Sequence, residues 1–383
     1  MIFCIFVNSI SDTNMQILLD VITILCIVSV VFLKIKHNKI LLIYIGIFCF
    51  YFVFIGSINA VLHNELAINI FSVIKCLLYY PLTLFVMDSA YTKKENFSVF
   101  FDEISIFVGL VAIYCIFITI YETSQNILSD GYRILPNTIL CFGVPLLFNK
   151  FNYGRKRYLF IGIVSLIAII LTYSKQFYIS IIILILFSFI IKNKISIKKI
   201  VIIVATALAV CAIIISLDKI LQNNSAYILS KSAVTYNFDL VSNIKDLAND
   251  YGTQYRIKET VDALQAWGNA PLFGIGIYAN YTDLVLKNWV HNGFIWLLLD
   301  CGVVGFIVFF LPTVVALVQY VKMYQYNKKN IPPYLHFCFL GIVMILVNAI
   351  PSPYFIKSIE SNILLGIFTY IIINFTNTMT KRK

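Results

Sequence analysis

Apolar runs of roughly the length that crosses a bilayer alternate with short polar tracts along this chain, and that alternation predicts most of the architecture. Eleven runs are predicted as spans: residues 15–33, 40–62, 67–88, 104–121, 134–149, 158–174, 177–191, 200–217, 292–321, 334–350 and 362–376. The run from 292 is longer than the roughly 20 residues a span needs, so it is expected to tilt or to break near Pro312. One long polar interruption divides the chain into spans 1–8 (1–217), a loop (218–290) and spans 9–11 (291–383). A structureless loop of that length is disfavoured. Within it, Thr253 is predicted to cap a helix reaching about Trp267. Ile257, Val261 and Leu264 fall on one stripe of that helix, and Gly268-Asn269 stops it before Pro271. The fold class expected is an all-α integral membrane protein with about 11 transmembrane helices and one long, partly helical extracytoplasmic loop. No internal repeat at a fixed period is visible.

Composition agrees, with 60% apolar and only 12% charged residues over 383 positions. The nine cysteines stand singly inside apolar runs, with no CxxC and no Cys/His grouping at metal spacing, and read as small buried hydrophobes. A net charge of +11 raises the question of nucleic acid. The basic residues instead occupy short tracts between spans, which is a topology signal and excludes that partner. Met1 to Ile10 lacks the pattern of a cleaved signal peptide.

Alternate loops carry the lysines and arginines: Lys34, Lys36, Lys39; Lys93, Lys94; Lys150, Arg155, Lys156, Arg157; Lys192, Lys194, Lys198, Lys199; Lys322, Lys328, Lys329; and Lys381, Arg382, Lys383. Positive charge collects on the cytoplasmic side. The N-terminus is therefore expected outside, the C-terminus inside, and 218–290 outside.

The candidate chemistry gathers on that outer face. Arg256 is placed in the first turn of the predicted loop helix, where free N–H groups and the helix dipole suit an anion such as phosphate; the alternative is a solvated arginine paired with Glu259 or Asp262. His291 opens span nine at a helix N-terminus, where the dipole favours a neutral ring able to take a proton from a hydroxyl; the alternative is an interfacial anchor beside Trp289. Asp300 lies about 13 Å deeper on the opposite helix face, an intramembrane carboxylate that either serves function or makes a structural hydrogen bond. Gly302 and Gly305 are expected to allow close helix packing, while Gly274 and Gly276 form only a weak glycine signal. Lys175, in a tight turn between spans six and seven, and Arg133, before span five, also face outward. Lys75, inside span three, either snorkels or lines a cavity. These cations, with no DxD in any outer loop, point to an anionic, lipid-linked substrate handled without a metal or other cofactor.

The stretch Arg256, then Pro271-Leu272-Phe273-Gly274-Ile275-Gly276, then His291-Asn292 continuing to Asp300, Gly302 and Gly305, resembles the O-antigen polymerase (Wzy) and O-antigen ligase (WaaL) superfamily of membrane glycosyltransferases. The family pattern is an outer Arg in a helix, a "PlfGvG" turn and "HNxxLxxLxExGxxG" opening a span. Here Asp300 replaces the Glu and Ile295 a Leu, with the register kept. Ser174-Lys175-Gln176 resembles the family's "SRg" turn, although lysine lacks the bidentate phosphate fork. The resemblance is specific over about 250–306 and loose elsewhere.

It implies a GT-C-like frame and inverting, metal-independent transfer of a glycan from an undecaprenyl-diphosphate carrier to a sugar hydroxyl at the outer face of the cytoplasmic membrane. His291 would orient or deprotonate the acceptor. Arg256, with Lys175, Arg133 and Lys75, would hold the diphosphate, and Asn292, Asp300, Gly274 and Gly276 would support. Donor and acceptor oligosaccharides, membrane lipid and a chain-length regulator are the partners implied. Repeat-unit polymerase is the first reading, for O-antigen or capsule, and ligase transfer to a lipid core or protein the second. A flippase or transporter of the same lipids is a third, but such folds show related halves and broken helices, neither of which is visible in the sequence.

Overall fold

The structure is a computed structural model and describes residues 38–62, 67–90, 95–124, 138–147, 156–171, 181–182, 184, 251–277, 290–327, 331–350, 352 and 354–380. Every regular element among them is helical. In chain order these are α1 (Lys39–Cys49), a π-helical turn (Phe50–Ile55), α2 (Gly56–Leu62), α3 (Ala67–Ala90), α4 (Glu95–Ser124), a 3-10 segment (Thr138–Leu147), α5 (Lys156–Leu171), α6 (Tyr251–Gly268), α7 (Gly293–Asn327), α8 (Pro333–Ala349), α9 (Tyr354–Lys357) and α10 (Ile359–Thr380). Four stretches of described helix are long and apolar enough to cross a bilayer: Lys39–Ile58, Phe101–Ile118, Gly293–Tyr326 and Ile359–Asn377. The protein is an integral membrane protein. Predicted spans 2, 3, 4, 6, 9, 10 and 11 all coincide with described helix, although residues 138–147 of predicted span five form a 3-10 segment instead of an α-helix. Predicted spans one, seven and eight fall wholly or mostly outside the described residues, as does 218–250.

The chain divides into two compact units, 1–102 with 255–383, and 103–254. In the second unit, α5 packs on the 3-10 segment through small residues: a Cβ on Gly162 would lie 2.8 Å from the Leu147 side chain. Ser165, fully buried there, returns its hydroxyl to the Ile161 carbonyl at 2.8 Å.

The first unit holds an aromatic core, with Phe48 stacked on Phe52 and Phe309 tilted against Tyr80 at 5.3 Å. Its polar contacts pair neighbouring helices. The Tyr80 and Thr313 hydroxyls lie 2.7 Å apart, and the Asn362 amide donates to the Cys76 carbonyl at 2.9 Å. In an apolar surround each such pair replaces water the helices cannot reach.

Helix α7 is discontinuous. The break is at Gly302 (φ 64°, ψ −173°), not near Pro312. Only glycine adopts that φ cheaply, and the lost helical bonds are replaced by neighbours. The Leu299 carbonyl accepts from Ile275 N–H at 2.8 Å, Val303 N–H donates to Pro271 O at 2.9 Å, and Val304 N–H donates to Leu272 O at 3.1 Å. The Tyr51 hydroxyl, carried by the π-helical turn, donates to the Cys301 carbonyl. Gly302 thus makes a break as well as a close approach, and the broken helix expected of a transporter is present here.

The turn 271–277 fills that break at membrane depth. It meets α7 where Tyr51 does, and Ile277 packs on Gly56. Both Tyr51 and Gly56 lie within the apolar stretch Lys39–Ile58.

Candidate active site

Helix α6 begins by Tyr251, so Thr253 lies inside it instead of at its cap position, and Arg256 falls in the second turn, out of reach of the free N–H groups at the start. The stop is where the sequence put it, with Gly268 last and Asn269 N–H turning back to Ala266 O at 3.2 Å. Its burial is the reverse of the usual pattern. Glu259 and Ala263 are fully buried, while Ile257, Val261 and Leu264 are exposed.

The partner of buried Glu259 is His291. Its Oε2 lies 2.7 Å from His291 Nδ1 and accepts from the His291 backbone N–H at 3.3 Å. The carboxylate is fully buried and the imidazole side chain 29% exposed. Among the described residues Glu259 Oε1 has no hydrogen-bond partner, a cost that a purely packing role would not require. An acceptor at Nδ1 selects the tautomer with its proton there and puts the ring's lone pair on Nε2. The same carboxylate offsets positive charge appearing on the ring when Nε2 takes up a proton.

Asn292 fixes the ring's position along the helix. Its Oδ1 accepts from Phe294 and Ile295 N–H at 3.0 and 3.2 Å, the geometry of an N-cap. Gly274 (φ 74°) and Gly276 (φ 112°) have backbone conformations that disfavour a side chain, and a Cβ on Gly274 would lie 2.6 Å from the Asp300 carbonyl. The weak glycine signal is therefore a structural one, the close seating of the turn on α7. Trp267 locks the turn from the other side, donating Nε1–H to Pro271 O at 3.1 Å.

Arg256, one helical turn before Glu259, is exposed, and among the described residues it forms no ion pair. The pairing with Glu259 weighed from sequence is displaced by His291. Asp300 is buried, beside the Lys357 ammonium. Lys357 Nζ lies 4.1 Å from the Trp296 ring centroid, a cation–π contact. Burial pushes this lysine below the ordinary range, and the Asp300 carboxylate pulls against that shift. Lys75 is half-buried on α3, next to Cys76, whose carbonyl receives Asn362 at the start of α10. Lys175 and Arg133 lie outside the described residues.

Glu259, Lys357 and Tyr51 are the residues that sequence reasoning passed over. Glu259 was weighed only as a partner for Arg256. Its spacing three residues after Arg256, on a helix followed by the His291 motif, was the signal available.

Residues 160–310 match the family model described as O-antigen ligase, a stretch that contains Arg256, Glu259, the 271–276 turn, His291, Asn292, Asp300 and Gly302. That likeness supports the Wzy and WaaL superfamily. No curated protein matches the chain significantly. Within the matched stretch the Glu259–His291 pair joins the loop helix to the opening of α7, while Lys357 lies beyond it.

Proposed function

We propose that this protein is a polysaccharide repeat-unit polymerase, serving O-antigen or capsule, that transfers glycan from an undecaprenyl-diphosphate carrier to a sugar hydroxyl on the outer face of the cytoplasmic membrane. The observation that carries the reading is the 2.7 Å contact between His291 Nδ1 and buried Glu259. With Nδ1–H held there, Nε2 takes the proton of the acceptor hydroxyl as its oxygen attacks the anomeric carbon. The bond from that carbon to the phosphate oxygen breaks in the same displacement. The configuration inverts, and undecaprenyl diphosphate leaves with the bonding electrons. Arg256 holds the diphosphate charge from its exposed position a turn above Glu259, with Lys175, Arg133 and Lys75 as further cations. No metal is needed in this scheme because cationic side chains supply the charge. The positive-inside pattern puts the N-terminus and the site outside and the C-terminus inside.

The family description favours a second reading, ligase transfer of a finished glycan to a lipid core or protein. A deletion strain separates them on a polysaccharide gel. Single-repeat products support the polymerase, and long unattached chains support the ligase. In the polymerase case, restoring the gene should restore the ladder, and His291→Ala or Arg256→Ala should not, with the protein still in the membrane. A normal ladder from either variant would sink the site assignment. A chain-length regulator remains a proposed partner, tested by co-purification from membranes.

A further inference from the structure

Helix α6 was expected to belong to a water-exposed loop, yet its ties place it elsewhere. Midway along it Glu259 is bonded to His291, two residues before α7 begins. Towards its C-terminal end, Trp267 donates to Pro271 O, which also accepts from Val303 N–H beyond the Gly302 break. From Glu259 to Trp267 is about 12 Å at helical rise, and from Gly293 to Val303 about 15 Å. The helix therefore descends alongside the first segment of α7. Its foot, the turn 271–277, seats on the α7 break that Tyr51 also meets, and its Ile277 packs on Gly56; both Tyr51 and Gly56 lie inside the apolar stretch Lys39–Ile58.

The side of α6 turned from α7 carries Ile257, Val261 and Leu264, which are 57%, 46% and 40% exposed. Leu272 and Phe273 of the foot are likewise exposed. Their depth follows from the seating of the turn on the α7 break and on Gly56. On the helices the foot meets, Val53, Phe54 and Ile307 are also exposed apolar residues, as lipid-facing positions of spans are. Lys258 and Gln265 flank the stripe on the same helix and are exposed too. Irregular backbone at this depth is tolerated only with its polar groups paired, as Pro271 O, Leu272 O, Gly274 N–H and Ile275 N–H of the turn are.

We propose that α6 and its foot, the turn 271–277, re-enter the membrane, with the Ile257–Val261–Leu264 face of α6 and Leu272–Phe273 embedded among the acyl chains of the leaflet on the His291 side. The occupant of this surface is bilayer lipid. The assignment does not depend on His291 being catalytic, and its test reads no transfer activity.

The full chain is reconstituted in vesicles, and Val261→Cys, Leu264→Cys, Lys258→Cys and Gln265→Cys are exposed to a membrane-impermeant maleimide, counting label gained over the parent with its own cysteines. Lys258→Cys and Gln265→Cys should gain label, and the two stripe variants should gain several-fold less. In parallel, Val261→Trp and Leu264→Trp should show added fluorescence quenched by lipids brominated on the acyl chain, and Gln265→Trp much less. Equal labelling of stripe and flank would overturn the proposal, since the stripe would face water. Protected stripe cysteines without quenching by brominated lipid would also overturn it, because protein would then be the cover.

Discussion

Glu259 and His291 are 32 residues apart in sequence and 2.7 Å apart in space, and the carboxylate is wholly buried where they meet. The contact removes a charge from solvent to set a ring's tautomer, so the charge itself is the thing to test. Glu259→Gln keeps the size and a carbonyl acceptor but removes the charge that offsets imidazolium. Chain assembly should fall by about 10²-fold or more, the range of a general base, with membrane abundance unchanged. The measurement is initial rate of glycan transfer by purified protein in vesicles. A rate within twofold of wild type would show that the pair is only an anchor.

Gly274 sits with φ 74° against the Asp300 backbone, and Gly302 with φ 64° against Leu272. A methyl at either site meets main chain, which cannot rotate away. Gly274→Ala and Gly302→Ala should each destabilise by at least the 1–3 kcal/mol typical of a strained backbone site, about. Detergent-solubilised variants should melt several degrees lower. Gly268→Ala is the control, because nothing lies within 4 Å of its added Cβ.

The spans were legible because length and apolar continuity suffice to recognise them, and Asn292 was legible as part of a motif whose capping role follows from its place before Gly293. The location of the α7 break was not. A proline was the visible suspect at 312, but the break needs a positive φ and outside partners, and those come from a turn about thirty residues earlier. Glu259 was hidden for a related reason. An apolar stripe suggests the buried face when water lies outside, and here the stripe is exposed and the carboxylate is inside. Lys357 was hidden by context, since it lies in a four-residue helix between two spans that reads as a short connection. Tyr51 depends on a π-helical turn, for which periodicity in an all-apolar span offers no sign.

The Tyr51 hydroxyl donates to Cys301 O beside the break. Tyr51→Phe leaves that buried carbonyl without this donor, worth about 1–3 kcal/mol when unsatisfied. The variant should melt lower than wild type while the ring still fills its place. Hydrogen exchange should rise at Val303 to Gly305 and stay unchanged around Thr313. Unchanged exchange at the break would mean that the turn 271–277 alone holds it.

Lys357 and Asp300 share a buried corner with Trp296, and each gains from the other's charge. Removing only the lysine leaves a carboxylate facing a less polar surround, and removing only the carboxylate leaves a cation held by an indole ring. Lys357→Met and Asp300→Asn should each lower the melting temperature, and the double variant should lose less than the sum. A coupling of about 1–3 kcal/mol is expected for groups in direct electrostatic contact. Thermal unfolding of the four proteins of this cycle in one detergent measures it. Additive losses would mean that Lys357 is held by Trp296 and its own helix alone, and that Asp300 has its stabilising partners elsewhere.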